Sequence, residues 1–184
     1  MAGKLNILAI SGSLREQSYN TRLLHVLKDM ASGAMDMEIV RLKGIPVYDG
    51  DDEAASGVPQ IVQDLAARIR AADGVLISTP EYNFSIPGGL KNATDWVSRV
   101  KDQPFKDKRV GIVGAAQSPV GTARSQYHLR QNLVGLEALT MNKPELFVSL
   151  AQNKFDADGN LTDEPSRKIF GVWLEAFEAW VRRG

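Results

Sequence analysis

The sequence predicts a doubly wound α/β fold, a five-stranded parallel sheet in the order 2-1-3-4-5 with helices on both faces. Three observations predict it. Apolar runs recur five times along 184 residues, each followed by a polar loop and then by apolar residues at helical spacing. Most of the runs lack polar alternation, as strands covered on both faces should. The length suits one domain with a substantial core and is short for two, so residues 1–184 are expected to form a single unit.

The runs, in order, are Leu5 to Ile10 (LNILAI), Met37 to Leu42 (MEIVRL), Gly74 to Thr79 (GVLIST), Arg109 to Ala116 (RVGIVGAA) and Glu145 to Leu150 (ELFVSL). MEIVRL alone alternates and reads as an edge strand. Between the runs, Leu23, Leu24, Leu27 and Met30 share one helical face. So do Ile61, Leu65 and Ile69, then Leu129, Leu133 and Leu136, and last Phe170, Trp173, Phe177 and Trp180. These stripes read as core packing. Ser18 or Asn20 suits the cap of the first helix, and Asp73-Gly74 ends the second. Tyr48 to Gly57 (YDGDDEAASG) reads as an acidic surface loop. Asp156 to Asn160 (DADGN) starts like a calcium loop, but Leu161 stands at its sixth position and Arg167 at its twelfth, so it is read as a turn.

Composition excludes several function classes. Lys plus Arg and Asp plus Glu number 22 each, so no global field favours a polyanion or an anionic membrane, and neither nucleic acid nor membrane is an expected partner. Cysteine is absent, which removes disulfides and thiolate metal sites and fits a reducing compartment. His25 and His128 are the only histidines and lack carboxylates at zinc-site spacing, so no metal is expected. The first apolar run is too short for a signal-peptide core or a membrane span. A cytoplasmic protein is expected.

In an open parallel sheet, ligands bind beyond the carboxyl ends of the strands where the strand order reverses, here between the first and third strands. Three loops leave that edge. The first, ISGSLREQSYNT (Ile10 to Thr21), offers the hydroxyls of Ser11, Ser13, Ser18 and Thr21, the guanidinium of Arg15 and the amide of Asn20 at a helix start. Free N–H groups and the positive dipole end point to the same place, which suits a phosphate monoester. Neither a Walker A loop nor a GxGxxG fingerprint is present, and ordinary turn chemistry uses the same residues. The second loop, Thr79 to Trp96, sets Tyr82, Asn83 and Phe84 between Pro80 and Pro87, as the rim of a site for a flat heterocycle would. A rigid loop packing its aromatics on the protein itself is the other reading. The third, Gly114 to Gln126, carries small residues with Gln117 and Ser118, which suit either a close backbone approach to a ring or a plain turn. Together the loops fit a phosphate at one end and a planar ring at the other.

The stretches GSLREQSYN, TPEYNFSIPGGLKNATDW and QYHLRQNLVGLEALTMNKPE resemble the NAD(P)H-dependent FMN reductases of flavodoxin-like fold, in particular the bacterial quinone and chromate reductase branch. The resemblance runs from Leu5 to about Asn153 and implies a three-layer sandwich, bound FMN, and NADPH or NADH as electron donor. It implies that Ser11, Ser13, Arg15, Ser18, Asn20 and Thr21 hold the phosphate. It also implies that Pro80, Glu81, Tyr82, Asn83 and Phe84 border the isoalloxazine, and that Gln117, Ser118, Val120 and Gly121 close on another part of the ring. Members form homodimers or homotetramers, which makes Trp96, Tyr127, Arg130 and Glu145 interface candidates; ordinary surface or core is the alternative for each.

With FMN present the hard chemistry belongs to the cofactor, and no protein nucleophile is needed. The expected activity is ping-pong reduction of quinones, and by analogy of chromate or azo compounds, at the expense of NAD(P)H. Arg99 is a candidate for attracting an anionic acceptor or the extra phosphate of NADPH, against an exposed, solvated role. The competing class is a flavodoxin-like electron carrier or a redox-sensing FMN-binding module. A carrier should be strongly acidic, and this chain is balanced, which favours the enzyme.

Overall fold

A computed structural model describes residues 3–183. Strands β1 (Leu5–Ser11), β2 (Met35–Arg41), β3 (Gly74–Ser78) and β4 (Arg109–Ala115) pair in parallel in the order β2-β1-β3-β4. Two short strands, β5 (Leu139–Thr140) and β6 (Leu146–Val148), share the outer edge of β4. The order 2-1-3-4-5 and the flavodoxin-like α/β layering are as expected. The last strand is divided, however: Leu139 and Thr140 lie beside Arg109 and Val110, while Leu146 to Val148 lie beside Val113 to Ala115. Pro144 stands in the interruption, where it has no N–H to give a ladder. β2 is the edge strand its alternation predicts, with Met35, Met37 and Val40 buried and Asp36 and Glu38 exposed.

Helices α1 (Tyr19–Ala31) and α6 (Glu164–Val181) cover one face; α3 (Gln60–Ala71), α4 (Gly88–Ser98) and α5 (Ala123–Gly135) cover the other. Strand residues alternate between the two cores. Ile7, Ala9, Leu76 and Val113 face α1 and α6, whereas Leu8, Ile10, Val75, Ile77 and Ile112 face the other layer. At Gly111 a Cβ would lie 2.7 Å from the Phe177 ring and 2.9 Å from Trp173, so glycine there makes room for that stacked pair, 5.1 Å apart. Two details of the stripes differ. Ile61 is 40% exposed and Val62 takes its buried place, while Trp180 is only partly buried beneath the Arg109 guanidinium.

The acidic stretch after β2 is not a loop. Gly50–Ser56 forms helix α2, capped by Asp49, whose carboxylate accepts from Asp51 N at 2.9 Å, and stopped at Gly57 (φ 75°). Asp51, Asp52 and Glu53 in its first turn suit the positive dipole end. It buries no residue, so it lacks the apolar periodicity by which helices are read. Asp156 to Asn160 is the turn expected, with Asn160 N donating to Asp156 Oδ1 at 2.8 Å. No cluster of metal-ligating side chains occurs among the described residues, and no described helix is long and apolar enough to cross a membrane.

Candidate functional site

The three loops meet at the carboxyl edge of β1, β3 and β4. Gly12 N donates to Ser78 O at 2.9 Å, so the first loop is tied to β3 as soon as it leaves β1. A Cβ on Gly12 would come within 3.2 Å of Ser78 O, which makes glycine the residue for that approach. Ser18 caps α1, its hydroxyl accepting from Asn20 N at 3.2 Å. The N–H groups of Tyr19 and Thr21 are left without a partner among the described residues, as the first turn of a helix dictates.

Two adjoining clefts open between the loops. One, of about 160 Å³, is lined by Ser13, Arg15, Ser18, Tyr19 and Asn20 on one side and by Pro80, Glu81, Tyr82, Ala115, Ala116 and Gln117 on the other. The second, of about 500 Å³, shares Glu81, Ala116 and Gln117 and adds Asn83, Phe84, Ser118 and Arg124. At the first end the inward polar groups are hydroxyls, a guanidinium and main-chain N–H groups. At the second, the N–H groups of Gln117 and Ser118 have no partner among the described residues, and the Phe84 ring and the small Ala116 and Ser118 stand among the polar side chains of the wall. A donor-rich end joined to a flat-walled end is what a phosphorylated planar ring requires, so the residues present fit FMN.

Not every expected residue reaches the clefts. Ser11 is fully buried at the end of β1, and its hydroxyl is 2.8 Å from that of Thr21, so the pair lies behind the wall. Val120 and Gly121 (φ 66°) form the turn past Ser118, with Gly121 N donating to Ser118 O at 3.2 Å, and neither lines the clefts. The Glu81 side chain is 7% exposed and turns toward α5. Its Oε2 accepts from Arg124 N at 3.1 Å and Ser125 N at 3.3 Å, and its Oε1 pairs with Arg124 Nη2 at 2.6 Å. A carboxylate from the second loop thereby caps the helix that follows the third. Ser125 adds a hydroxyl bond to Pro80 O at 2.9 Å.

Arg124, not singled out by its spacing, lines the second cleft with its guanidinium 3.9 Å from the Phe84 ring centroid. Tyr82 and Ser85 exchange backbone bonds of 3.0 Å each way, which makes Asn83-Phe84 a two-residue hairpin turn with φ 49° and 67°. That turn leaves Tyr82 and Phe84 47% and 64% exposed. The aromatics therefore stand at the rim rather than packing inward.

Two expectations are corrected. Trp96 is 1% exposed, its ring edge-on to Tyr48 at 4.9 Å and its Nε1 donating to Pro46 O at 2.9 Å, so it belongs to this chain's own core and offers no interface. Arg99 caps the far end of α4, about 16 Å of helix from Pro87 and the turn that lines the clefts. There its Nε donates to Glu53 at 3.0 Å, and it lines neither cleft. The other interface candidates cluster. Tyr127 is 52% exposed, Arg130 donates to Met141 O at 2.9 Å, and the ion pair with Lys143 holds the Glu145 carboxyl below its usual range, helped by the Tyr127 hydroxyl and Arg130.

Fold and crevice define a flavodoxin-like α/β protein built to hold a ligand at the β1/β3 switch point. The sequence pattern of the family described as NADPH-dependent FMN reductase matches residues 5–153. An NAD(P)H-dependent FMN reductase of Pseudomonas aeruginosa is 46% identical over 183 residues, covering 100% of this chain and 98% of the relative. A quinone reductase of Escherichia coli K12 is 43% identical over 185 residues, again 100% and 98% of the two chains. Among solved structures, the flavoenzyme NAD(P)H:(acceptor) oxidoreductase FerB from Paracoccus denitrificans superposes with a TM-score of 0.88 at 33% identity, over 97% of this chain and 98% of that one. The chain belongs to the NADPH-dependent FMN reductase family, and it is an FMN-dependent oxidoreductase that draws electrons from NAD(P)H.

Proposed function

We propose that this enzyme reduces quinones with NAD(P)H, binding FMN in the crevice between the first, second and third loops. The single observation that carries the placement is the joining of a donor-rich cleft at the start of α1 to an aromatic-rimmed cleft at the Tyr82–Ser85 turn. When bound there, FMN would supply the redox chemistry, an acceptor for the nicotinamide's hydride and a donor of the two electrons to a quinone. Ser13, Arg15, Ser18 and the free N–H groups of Tyr19 and Thr21 hold the phosphate, where the α1 dipole favours negative charge. Ser11 supports Thr21 from behind. Pro80, Tyr82, Asn83 and Phe84 border one part of the ring, while the N–H groups of Gln117 and Ser118 face another, where they stabilise negative charge as it develops. Glu81 holds the second loop to α5 rather than touching the ring, and Val120 and Gly121 shape the third loop. The open rim admits nicotinamide and acceptor in turn, which supports ping-pong order.

The relatives' names support quinone as acceptor. Chromate reduction, a cytoplasmic location, a one-domain unit and a homodimer or homotetramer joined through Tyr127, Arg130 and Glu145 belong to the same reading. Purified protein should be yellow, NADPH without oxygen should bleach it, and a quinone should restore the colour. Replacing Ser13 and Arg15 together with alanine should release FMN. Protein that stays colourless after incubation with FMN, or a double variant with unchanged affinity, would refute the assignment.

A further inference from the structure

Asn20 is the second residue of α1 and is 3% exposed, yet its amide reaches two strands of the sheet. Its Nδ2 donates to Ala115 O at 2.9 Å, and its Oδ1 accepts from Ala115 N at 3.0 Å and from the Ser78 hydroxyl at 3.0 Å. The amide can be oriented in only one way, because a main-chain N–H only donates and a C=O only accepts. Ala115 is thus bonded at both its N–H and its C=O by one planar amide, as a residue in a ladder is bonded by the next strand.

β4 needs such a partner there. Its pairing with β3 ends at Ser78 opposite Val113, with Thr79 N donating to Val113 O at 2.9 Å. At Pro80 the second loop turns away, and proline has no N–H to continue the ladder. On the outer side β6 is already engaged, Ala116 N donating to Val148 O at 2.9 Å. Without Asn20, a buried N–H and a buried C=O of Ala115 would lose their partners.

We infer that Asn20 is a positioning residue: its side chain stands in for the missing strand and locks the third loop to the start of α1. The inference rests on the FMN reading above and deepens it. Ala115 is the last residue of β4, where the third loop leaves the sheet, and the helix start proposed to hold the phosphate lies one residue before Asn20. One side chain therefore sets the separation between the phosphate end and the ring end of the crevice. A phosphate ligand would spend its amide on the phosphate; this amide has both its oxygen and one N–H already engaged with the chain.

Asn20→Ala tests it by two measurements. In flavin-free protein, the Ala115 amide should exchange its hydrogen about tenfold faster relative to Gly111 and Val113, which stay paired with β3. FMN and riboflavin, which lacks the phosphate, should both bind about tenfold more weakly by fluorescence quenching, because the ring end has moved. Weaker FMN binding with riboflavin unaffected would make Asn20 a phosphate ligand and overturn the inference, as would unchanged Ala115 exchange. Ser78→Ala keeps both bonds to Ala115 and removes only the hydroxyl that steadies the amide, so it serves if Asn20→Ala fails to fold. It should shift the same readouts in the same direction by about threefold, and unchanged Ala115 exchange would again overturn the inference. If the wild-type protein binds neither flavin, the FMN reading fails, while Ala115 exchange in the flavin-free variants still decides the clamp.

Discussion

Replacing Glu81 with alanine tests how the second and third loops are held together. The carboxylate accepts from Arg124 N and Ser125 N at 3.1 and 3.3 Å and is 7% exposed. A hydrogen bond to a charged acceptor contributes about 1.5–3 kcal/mol, and the longer of these two belongs at the weak end. A charge at a helix N-terminus adds about 0.3–1 kcal/mol. The Arg124 ion pair adds little, because the Arg124 side chain is 41% exposed and solvent screens it. Together these terms predict a loss of about 3–5 kcal/mol. For a chain of this size that is a fall in Tm of about 9–15 °C. Glu81→Gln keeps an acceptor and loses the charge, so it should fall by about 3 °C. Melting flavin-free protein by circular dichroism keeps ligand linkage out of the comparison. A Glu81→Ala protein melting within about 1 °C of wild type would show that the carboxylate is no cap and that the loops are joined by other bonds.

Trp96→Ala should cost about 3–5 kcal/mol, as large-to-small changes in a packed core do, whereas Trp96→Phe should cost about 1 kcal/mol for the lost bond to Pro46; urea midpoints separate them. Arg99→Ala should leave KM for NADPH and for quinone unchanged within about a factor of two, because its guanidinium is engaged with Glu53 away from the clefts. The Glu145 carboxyl sits below the usual glutamate range, mainly through its bond to Lys143. A lowered folded-state pKa contributes stability that is fully present above the unfolded value and is lost as pH falls through the folded one. Glu145→Gln should therefore be the less stable protein at pH 7, and the gap should close below about pH 4; a gap constant with pH would contradict this. Phe84→Gly should leave stability within about 1 kcal/mol, since relief of left-handed strain offsets the lost contact with Arg124, yet raise KM for the acceptor.

Strands β1 to β4 were legible because buried parallel strands are written as unbroken apolar runs, and β2 because an edge strand alternates. The divided fifth strand was not, since ELFVSL reads as one strand while Leu139 and Thr140 pair with β4 from the far side of Pro144. Helix α2 escaped because it is held by its cap and its acidic first turn, with no buried face to give a period. The site was legible as three loops but not as a set of contacts. Spacing cannot say whether a polar side chain in a loop faces a ligand or the protein. Ser11, Asn20 and Glu81 all face the protein, and Trp96, which the family resemblance made an interface candidate, is packed under Tyr48. Arg124 carries no motif, and it takes its place from the Glu81 carboxylate and from the turn that lifts Phe84 into its path.

These inward-facing residues share one physical task. A crevice made of loop ends lacks the ladder that fixes the strands, so each loop borrows a bond from its neighbour: Gly12 N to Ser78 O, the Asn20 amide to Ala115, the Glu81 carboxylate to the start of α5, and the Ser125 hydroxyl to Pro80 O. Each bond is to main chain, so it fixes backbone position whatever the outward side chains become. Phe84 is the counterpart on the other side of the frame. Its left-handed backbone costs about 1–2 kcal/mol, more than an exposed contact with Arg124 returns at about 0.5–1 kcal/mol, so folding alone would place glycine there. The strain is tolerable only because the bonds on either side of the turn over-determine it, and what it provides is an aromatic face held out at the rim, as the proposed docking of a flat acceptor requires.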